Sequence, residues 1–135
     1  MEFVFHKRRF ENFTKEILTN DQKKYLDKIV SGTWELNDKS LIDVDGNVFL
    51  KSGFMRLKFG KVSGDFNCAN SDLTSLKGSP QSVGKSFNCS NNKLTSLKGI
   101  PQNIGRTFRC SDNNLTSLEG GPQIVGKSYN CSNNK

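Results

Sequence analysis

Four cysteines recur at one fixed interval, and they are the residues of this chain with the widest choice of chemistry. They are Cys68, Cys89, Cys110 and Cys131, each 21 residues after the one before. A disulfide needs a specific dihedral angle, and zinc needs four ligands that converge tetrahedrally. Side chains stacked in one column point in the same direction, which suits neither geometry. We therefore expect four small, buried thiols, which fits a reducing compartment.

Few other side chains could do chemistry. His6 is the only histidine, and it forms no recognisable catalytic arrangement with a serine or cysteine. Asp43, Asp45 and Gly46 are similar to part of a calcium-binding EF-hand loop, but that loop needs a glutamate where this chain has Phe54. No glycine-rich phosphate-binding loop occurs. The sequence predicts a protein that is not an enzyme, with no metal site and no cofactor.

The cysteines belong to a 21-residue repeat that extends from residue 66 to residue 135. A unit of this length must stack on a neighbour to bury its apolar face, which is typical of a solenoid. Apolar and polar residues alternate around each cysteine, which predicts a short strand with its aromatic residue and its cysteine inward. Glycine and proline disfavour a helix in the rest of the unit. We predict a mainly β solenoid with a parallel sheet, whose inward columns are Phe66, Phe87, Phe108 and Tyr129; Leu73, Leu94 and Leu115; and Leu76, Leu97 and Leu118.

These columns resemble the leucine-rich repeat pattern L-x-x-L-x-L-x-x-N-x-L. Asn92 and Leu94 match the last two named positions of the pattern. Phe87 and Cys89 replace the middle pair of leucines, and Gly84 replaces the first leucine. In the unit at Phe66 the asparagine position is Ser71, so a ladder of buried amides should be interrupted there. The short repeat is similar to the type found in bacterial effectors and in proteins encoded by bacteriophages. That resemblance implies a protein-binding surface, and for a phage protein it implies inhibition of a bacterial host defence protein in the host cytoplasm.

Residues 1–32 differ in character from the repeats. Thr19 and Gln22 form a capping-box pattern, and an apolar stripe that ends before Gly32 predicts a helix from about residue 20 to residue 31. Upstream phenylalanines fit either a helix or a short strand. We interpret residues 1–32 as a helical N-terminal cap over the first strand of the solenoid. The alternative is that the phenylalanine-rich face binds a partner.

Residues 33–65 should bridge the cap and the repeats. Two strand-like stretches, 34–36 and 41–44, flank a turn at residues 37 and 38, and Asp45-Gly46 is a second turn signal. A degenerate first repeat follows, in which other apolar residues take the inward columns. These are Val48, Leu50, Phe54 and Leu57.

The outward positions of the repeats are the predicted binding surface. Residues 66–135 carry eight lysines and arginines against three acidic residues. Lysine and arginine at exposed repeat positions most often form a solubilising face. Among binding functions, a protein partner with an acidic surface is the preferred hypothesis, and nucleic acid or ribonucleoprotein is the alternative. The residues proposed to bind a partner on the exposed sheet face are Asn67, Asn88, Ser90, Arg109, Ser111 and Asn130. The basic row is formed by Lys85, Arg106 and Lys127.

The last unit stops before its leucines, so its strand should leave an open edge at Tyr129, Asn130 and Cys131. Either the natural protein is longer, or this edge mediates self-association into a homo-oligomer or a structural assembly. No apolar run is long enough to span a membrane, and the N-terminus lacks the pattern of a secretory signal. These features favour an intracellular protein.

Overall fold

The structure, a computed structural model, describes residues 18–51 and 53–134. This part of the chain contains one helix and ten strands. The elements are α1 (Asn20–Ile29), β1 (Val30–Leu36), β2 (Ile42–Phe49), β3 (Phe59–Val62), β4 (Phe66–Asn67), β5 (Ser82–Val83), β6 (Phe87–Asn88), β7 (Asn103–Ile104), β8 (Phe108–Arg109), β9 (Ile124–Val125) and β10 (Tyr129–Asn130).

The strands form a parallel β-solenoid of about four turns, which confirms the predicted fold class. Each repeat contributes two short strands where the sequence predicted one. We call β3, β5, β7 and β9 the upstream ladder, and β4, β6, β8 and β10 the downstream ladder. Strand β2 serves both ladders, because its first half pairs with β3 and its second half pairs with β4.

A glycine column lies at the bend between the two ladders. At Gly105, a Cβ atom would collide with the carbonyl oxygen of Gly84 in the preceding turn, and Gly126 meets Gly105 in the same way. The turns therefore pack backbone against backbone at this bend, which leaves no room for a side chain.

The inward columns form one continuous core, as the alternation predicted. The aromatic rings stack from turn to turn, with centroids 5.4 Å apart for Phe66 and Phe87 and 6.2 Å apart for Phe87 and Phe108. The leucine columns are buried through Leu115, and Leu118 of the last turn is exposed. The degenerate first repeat is confirmed: Val48 pairs in register with Phe66, and Leu50, Phe54 and Leu57 are buried.

Helix α1 begins with the predicted capping box: the Thr19 hydroxyl accepts from the Gln22 amide, and the Gln22 side chain accepts from the Thr19 amide. Its buried face packs on the core, and the Tyr25 hydroxyl donates a 2.6 Å hydrogen bond to the carbonyl of Gly53. The helix ends at Ile29, two residues earlier than predicted. The chain continues directly into β1, which pairs antiparallel with β2 and covers that edge of the first turn.

Two glycines have roles other than those predicted. Gly32 does not close the helix, and Asp45-Gly46 is not a turn, because both lie inside paired strands. Gly32 and Gly46 are register partners, and a Cβ atom on Gly46 would collide with the carbonyl oxygen of Ser31. A dipeptide typical of turns here lets β2 bend between the two ladders without losing its pairing.

A ladder of side-chain amides runs between the turns. Asn92, Asn113 and Asn134 each donate to backbone carbonyls of their own turn and of the preceding one. Ser71 takes the equivalent place one turn earlier, and its hydroxyl donates only to the Ala69 carbonyl in its own turn. The predicted interruption of the ladder at Ser71 is therefore confirmed.

The predictions for the N-terminal phenylalanines and for His6 concern residues 1–17, which lie outside the described residues. Among the helices in the described ranges, none combines the length and apolar character needed to cross a bilayer.

Candidate functional site

The outward positions of the downstream ladder form one straight column across five strands. Phe49, Asn67, Asn88, Arg109 and Asn130 are consecutive register partners. We call these five residues the outer column. Adjacent members are one strand spacing apart, about 4.8 Å. The sheet therefore brings together four of the six residues predicted to bind a partner and adds Phe49.

The asparagines of the outer column are held by the backbone that follows them. The Oδ1 atoms of Asn67, Asn88 and Asn130 each accept a hydrogen bond from the amide two residues later, at 2.9 to 3.2 Å. This bond fixes the orientation of each amide group and leaves its Nδ2 donors available. The column is thus a fixed surface that donates hydrogen bonds.

Ser90 and Ser111, predicted to be on the exposed face, do not belong to it. Ser90 is buried and Ser111 is half-buried. The chain turns inward after Cys89, and the Ser111 hydroxyl donates to that of Ser90. Their positions reflect this turn, which the simple alternation of a longer strand does not anticipate.

The basic row lies beside the outer column, at the bend between the ladders. Lys85, Arg106 and Lys127 are exposed, and each backbone amide donates to the carbonyl one turn earlier. No acidic side chain of residues 18–51 and 53–134 forms an ion pair with this row, whereas Lys93 pairs with Asp72 on another surface. The row therefore places three cations in register without an ion pair to a described side chain, and one carboxylate, that of Asp65, lies close to Lys85 because it accepts from the Ser86 amide.

Phe49 is the member of this surface that sequence reasoning missed. Its side chain is 57% exposed although strands flank β2 on both edges. The other exposed large residues of the sheet, Ile124 and Tyr129, belong to the turn at the end of the described range, which has a neighbouring turn on one side only within that range. Its position in the sequence does indicate exposure: Val48 points inward, and side chains alternate along a strand, so the next residue, Phe49, should point outward.

A second surface, also not predicted, covers the upstream ladder. Its outward positions are Lys61, Ser82, Asn103 and Ile124, which are register partners and line an open groove of about 770 Å³. Glu35, Asp43 and Asp45 line one end of the groove. Asp43 already accepts hydrogen bonds from the Lys61 amide and from Asn37, so part of this acidic group has a structural role.

The cysteine column departs from the prediction. Cys110 and Cys131 form a disulfide, whereas Cys68 and Cys89 are free and buried. The parallel pairing of the last two turns brings the two Cα atoms to 4.6 Å, which is within disulfide range, so register on neighbouring strands does not forbid the bond. Because Cys110 and Cys131 are paired, they give no support to the predicted reducing compartment, which rested on four free thiols.

Burial sets the chemistry of the two free thiols. Desolvation raises the pKa of the Cys89 thiol to about 12, and burial, with a smaller effect of Cys89, raises that of Cys68 well above its usual value. Both remain protonated and unreactive at neutral pH. Within the described ranges, no group of three or more histidine, cysteine or acidic side chains could hold a metal ion.

The predicted self-association edge consists of exposed and half-buried groups. Tyr129 is 41% exposed, Asn130 is exposed and Cys131 is half-buried. Strands β10 and β9 are the two ends of the sheet order, so each has one unpaired edge among the described strands.

The fold and these surfaces define a β-solenoid that presents a fixed polar and basic sheet face. No protein-family model, no curated protein and no solved structure matches the chain.

Proposed function

We propose that this protein is a non-catalytic binding module, which recognises a protein partner through the outer column and the basic row. The observation that carries the proposal is the alignment of Phe49 and Arg109 in one column beside three cations that form no ion pair within residues 18–51 and 53–134. Aromatic residues and arginine are enriched among the residues that dominate binding energy at protein interfaces.

The rigidity of the surface supports this proposal. The backbone of paired strands loses little freedom on binding, and the amide groups of Asn67 and Asn88 are already fixed by backbone hydrogen bonds. Less ordering cost means that more of the contact energy appears as affinity. Solenoids present such regular surfaces to partners in general.

The charge of the surface supports an acidic partner. Lys85, Arg106 and Lys127 repel one another modestly, and an acidic surface would relieve this repulsion and speed association. The resemblance to short leucine-rich repeats of bacteriophage type directs the search for the partner to bacterial host proteins. In that setting the protein would inhibit a defence component in the host cytoplasm.

The experiment is affinity capture from bacterial lysate with the full chain and two variants. The test variant changes Asn88, Arg109 and Asn130 to glutamate. The matched control places glutamate at Lys61, Ser82 and Asn103, three outward positions of the upstream ladder that give the same total change in charge and likewise comprise one half-buried and two exposed sites. We expect the test variant to lose a partner that the control retains. A partner retained by both variants would rule out the outer column as its binding site.

A second candidate is nucleic acid, favoured by the three cations in register and by the exposed ring of Phe49, on which a base could stack. A gel shift that weakens steeply with salt and disappears on charge reversal of Lys85, Arg106 and Lys127 would support it. No shift at low salt on either DNA or RNA would remove this candidate.

A third candidate is self-association through the last turn, favoured by the exposure of Leu118, Ile124 and Tyr129. Light scattering over a concentration series tests it, with Ile124→Lys as the variant that should restore the monomer. A monomer at every concentration would count against this candidate.

A further inference from the structure

We infer that the partner segment on the outer column is an extended chain along the solenoid axis, with an apolar and an acidic side chain four residues apart. This inference rests on the proposed function and specifies the chemistry of its partner. The apolar side chain would contact Phe49, and the acidic one would pair with Arg109.

The spacing follows from the register. Phe49 and Arg109 are separated by three strand spacings, since Asn67 and Asn88 lie between them. Three spacings are about 14 Å. An extended chain rises about 3.4 Å per residue, so side chains at i and i+4 lie on one face about 13.6 Å apart.

Other spacings fit less well. In an extended segment, positions i and i+2 are only about 7 Å apart and i and i+6 are about 20 Å apart. A helix returns to the same face at i+7 and i+11, which are about 10.5 Å and 16.5 Å away. An extended segment with the i, i+4 pair therefore matches the column best.

The polarity of the column also selects the partner. The Oδ1 atoms of Asn67 and Asn88 are already engaged by backbone amides, so their Nδ2 groups remain as donors. These donors suit the carbonyl groups of a crossing chain. Arg109 and the adjacent basic row would attract an acidic residue at the charged position and repel a lysine or arginine there. The site should therefore select an acidic residue both by attraction and by exclusion of basic ones.

The test is selection from a random decapeptide library against the full chain. We expect enrichment of peptides with an apolar residue and an Asp or Glu four residues apart, that is, with three residues between them. Arg109→Glu should instead enrich Lys or Arg at the charged position, because the reversed charge now favours a cation. Lys61→Glu, a charge reversal of the same size on the upstream ladder, should leave the selected pattern unchanged.

Binding of one synthetic peptide with Leu and Glu at this spacing then gives magnitudes. We expect about a tenfold loss on Phe49→Ala, as for the truncation of an aromatic anchor, and about a fivefold loss on Arg109→Glu, as for the loss of an exposed ion pair, with recovery when the peptide glutamate becomes lysine. Both side chains are exposed, so circular dichroism should show unchanged folding. A different spacing, no enrichment, or a pattern that Arg109→Glu does not alter would overturn the inference. Capture of a lysate protein that depends on the outer column without this pattern would overturn the inference alone.

Discussion

Asn92→Ala should destabilise the protein more than any other single truncation in the ladder formed by Asn92, Asn113 and Asn134, because Asn92 makes the most side-chain hydrogen bonds of the three. The Asn92 Oδ1 accepts from the amides of Ser71 and Leu73, and its Nδ2 donates to the carbonyls of Cys68, Cys89 and Ser90. The Cys89 carbonyl also accepts from Asn113, and that of Ser90 accepts from the backbone of Asn70, so both keep a partner. The substitution therefore leaves two amides and one carbonyl without the partners described here.

The same count for Asn113→Ala gives a smaller effect. Its Oδ1 accepts from the Leu94 amide alone, and the carbonyls it donates to keep other partners. A buried polar group without a partner costs about 1–3 kcal/mol. We expect a loss in the free energy of unfolding of at least about 3 kcal/mol for Asn92→Ala, with three such groups, and of about 1–3 kcal/mol for Asn113→Ala, with one.

The assay is urea unfolding followed by circular dichroism. The matched control is Asn114→Ala, which removes the same group one residue along the chain, at a half-buried site whose side chain makes no hydrogen bond to the residues that the structure describes. We expect it to change stability by less than about 0.5 kcal/mol. The reasoning is refuted if Asn113→Ala costs as much as Asn92→Ala, or if the control costs as much as either.

Three further predictions concern the bend and the cysteines. Gly105→Ala should cost about 1–3 kcal/mol of stability in thermal or urea unfolding, because its Cβ atom collides with the preceding turn. Denatured protein without reductant should alkylate at two cysteines, and reduction of Cys110–Cys131 should cost about 2–4 kcal/mol. Alkali should destabilise the fold, because burial raises the pKa of the Cys68 thiol and raises that of the Cys89 thiol to about 12. The free energy of unfolding should therefore be unaffected by these thiols below about pH 8.5, the pKa of an unfolded cysteine, and should fall as the pH rises from there towards the raised values. Between pH 8.5 and 10 each thiol should contribute a slope of up to about 1.4 kcal/mol per pH unit in urea unfolding.

Each of these predictions has a contrary outcome. Gly105→Ala with wild-type stability would show that the turns can separate at the bend. Four alkylated cysteines without reductant would refute the disulfide. In Cys89→Ala the alkaline slope should halve, and an unchanged slope would show that groups other than the buried thiols cause it.

The repeat was the part of the fold that the sequence predicted best. An interval of 21 residues places like residues in register whatever the details of each turn, so the inward columns of Phe87, Cys89 and Leu94 could be assigned without coordinates. The capping box at Thr19 was equally local. The repeat is strictly periodic and the capping box involves residues three apart, so neither depends on how distant parts of the chain pack.

The errors came from positions where two parts of the chain meet. Asp45-Gly46 is typical of a turn in isolation, but β2 has partners on both edges and stays extended there. The disulfide between Cys110 and Cys131 depends on how closely two adjacent turns approach, which the spacing in sequence does not specify. The exposure of Phe49 depends on the bend of β2, and no repeat in the sequence marks it.

Strand β2 has a consequence for the order in which the molecule comes apart. Among the described strands, it is held by β1 on one edge and by β3 and β4 on the other, whereas β9 and β10 are each held on one edge only. In a stack in which each layer touches only its neighbours, loosening starts at the layer with fewest neighbours. Under heat or mechanical force, the turn of β9 and β10 should therefore unfold first. The backbone amides of β2 should exchange with deuterium last. The β1–β2 hairpin is then the part of the molecule on which the other turns fold.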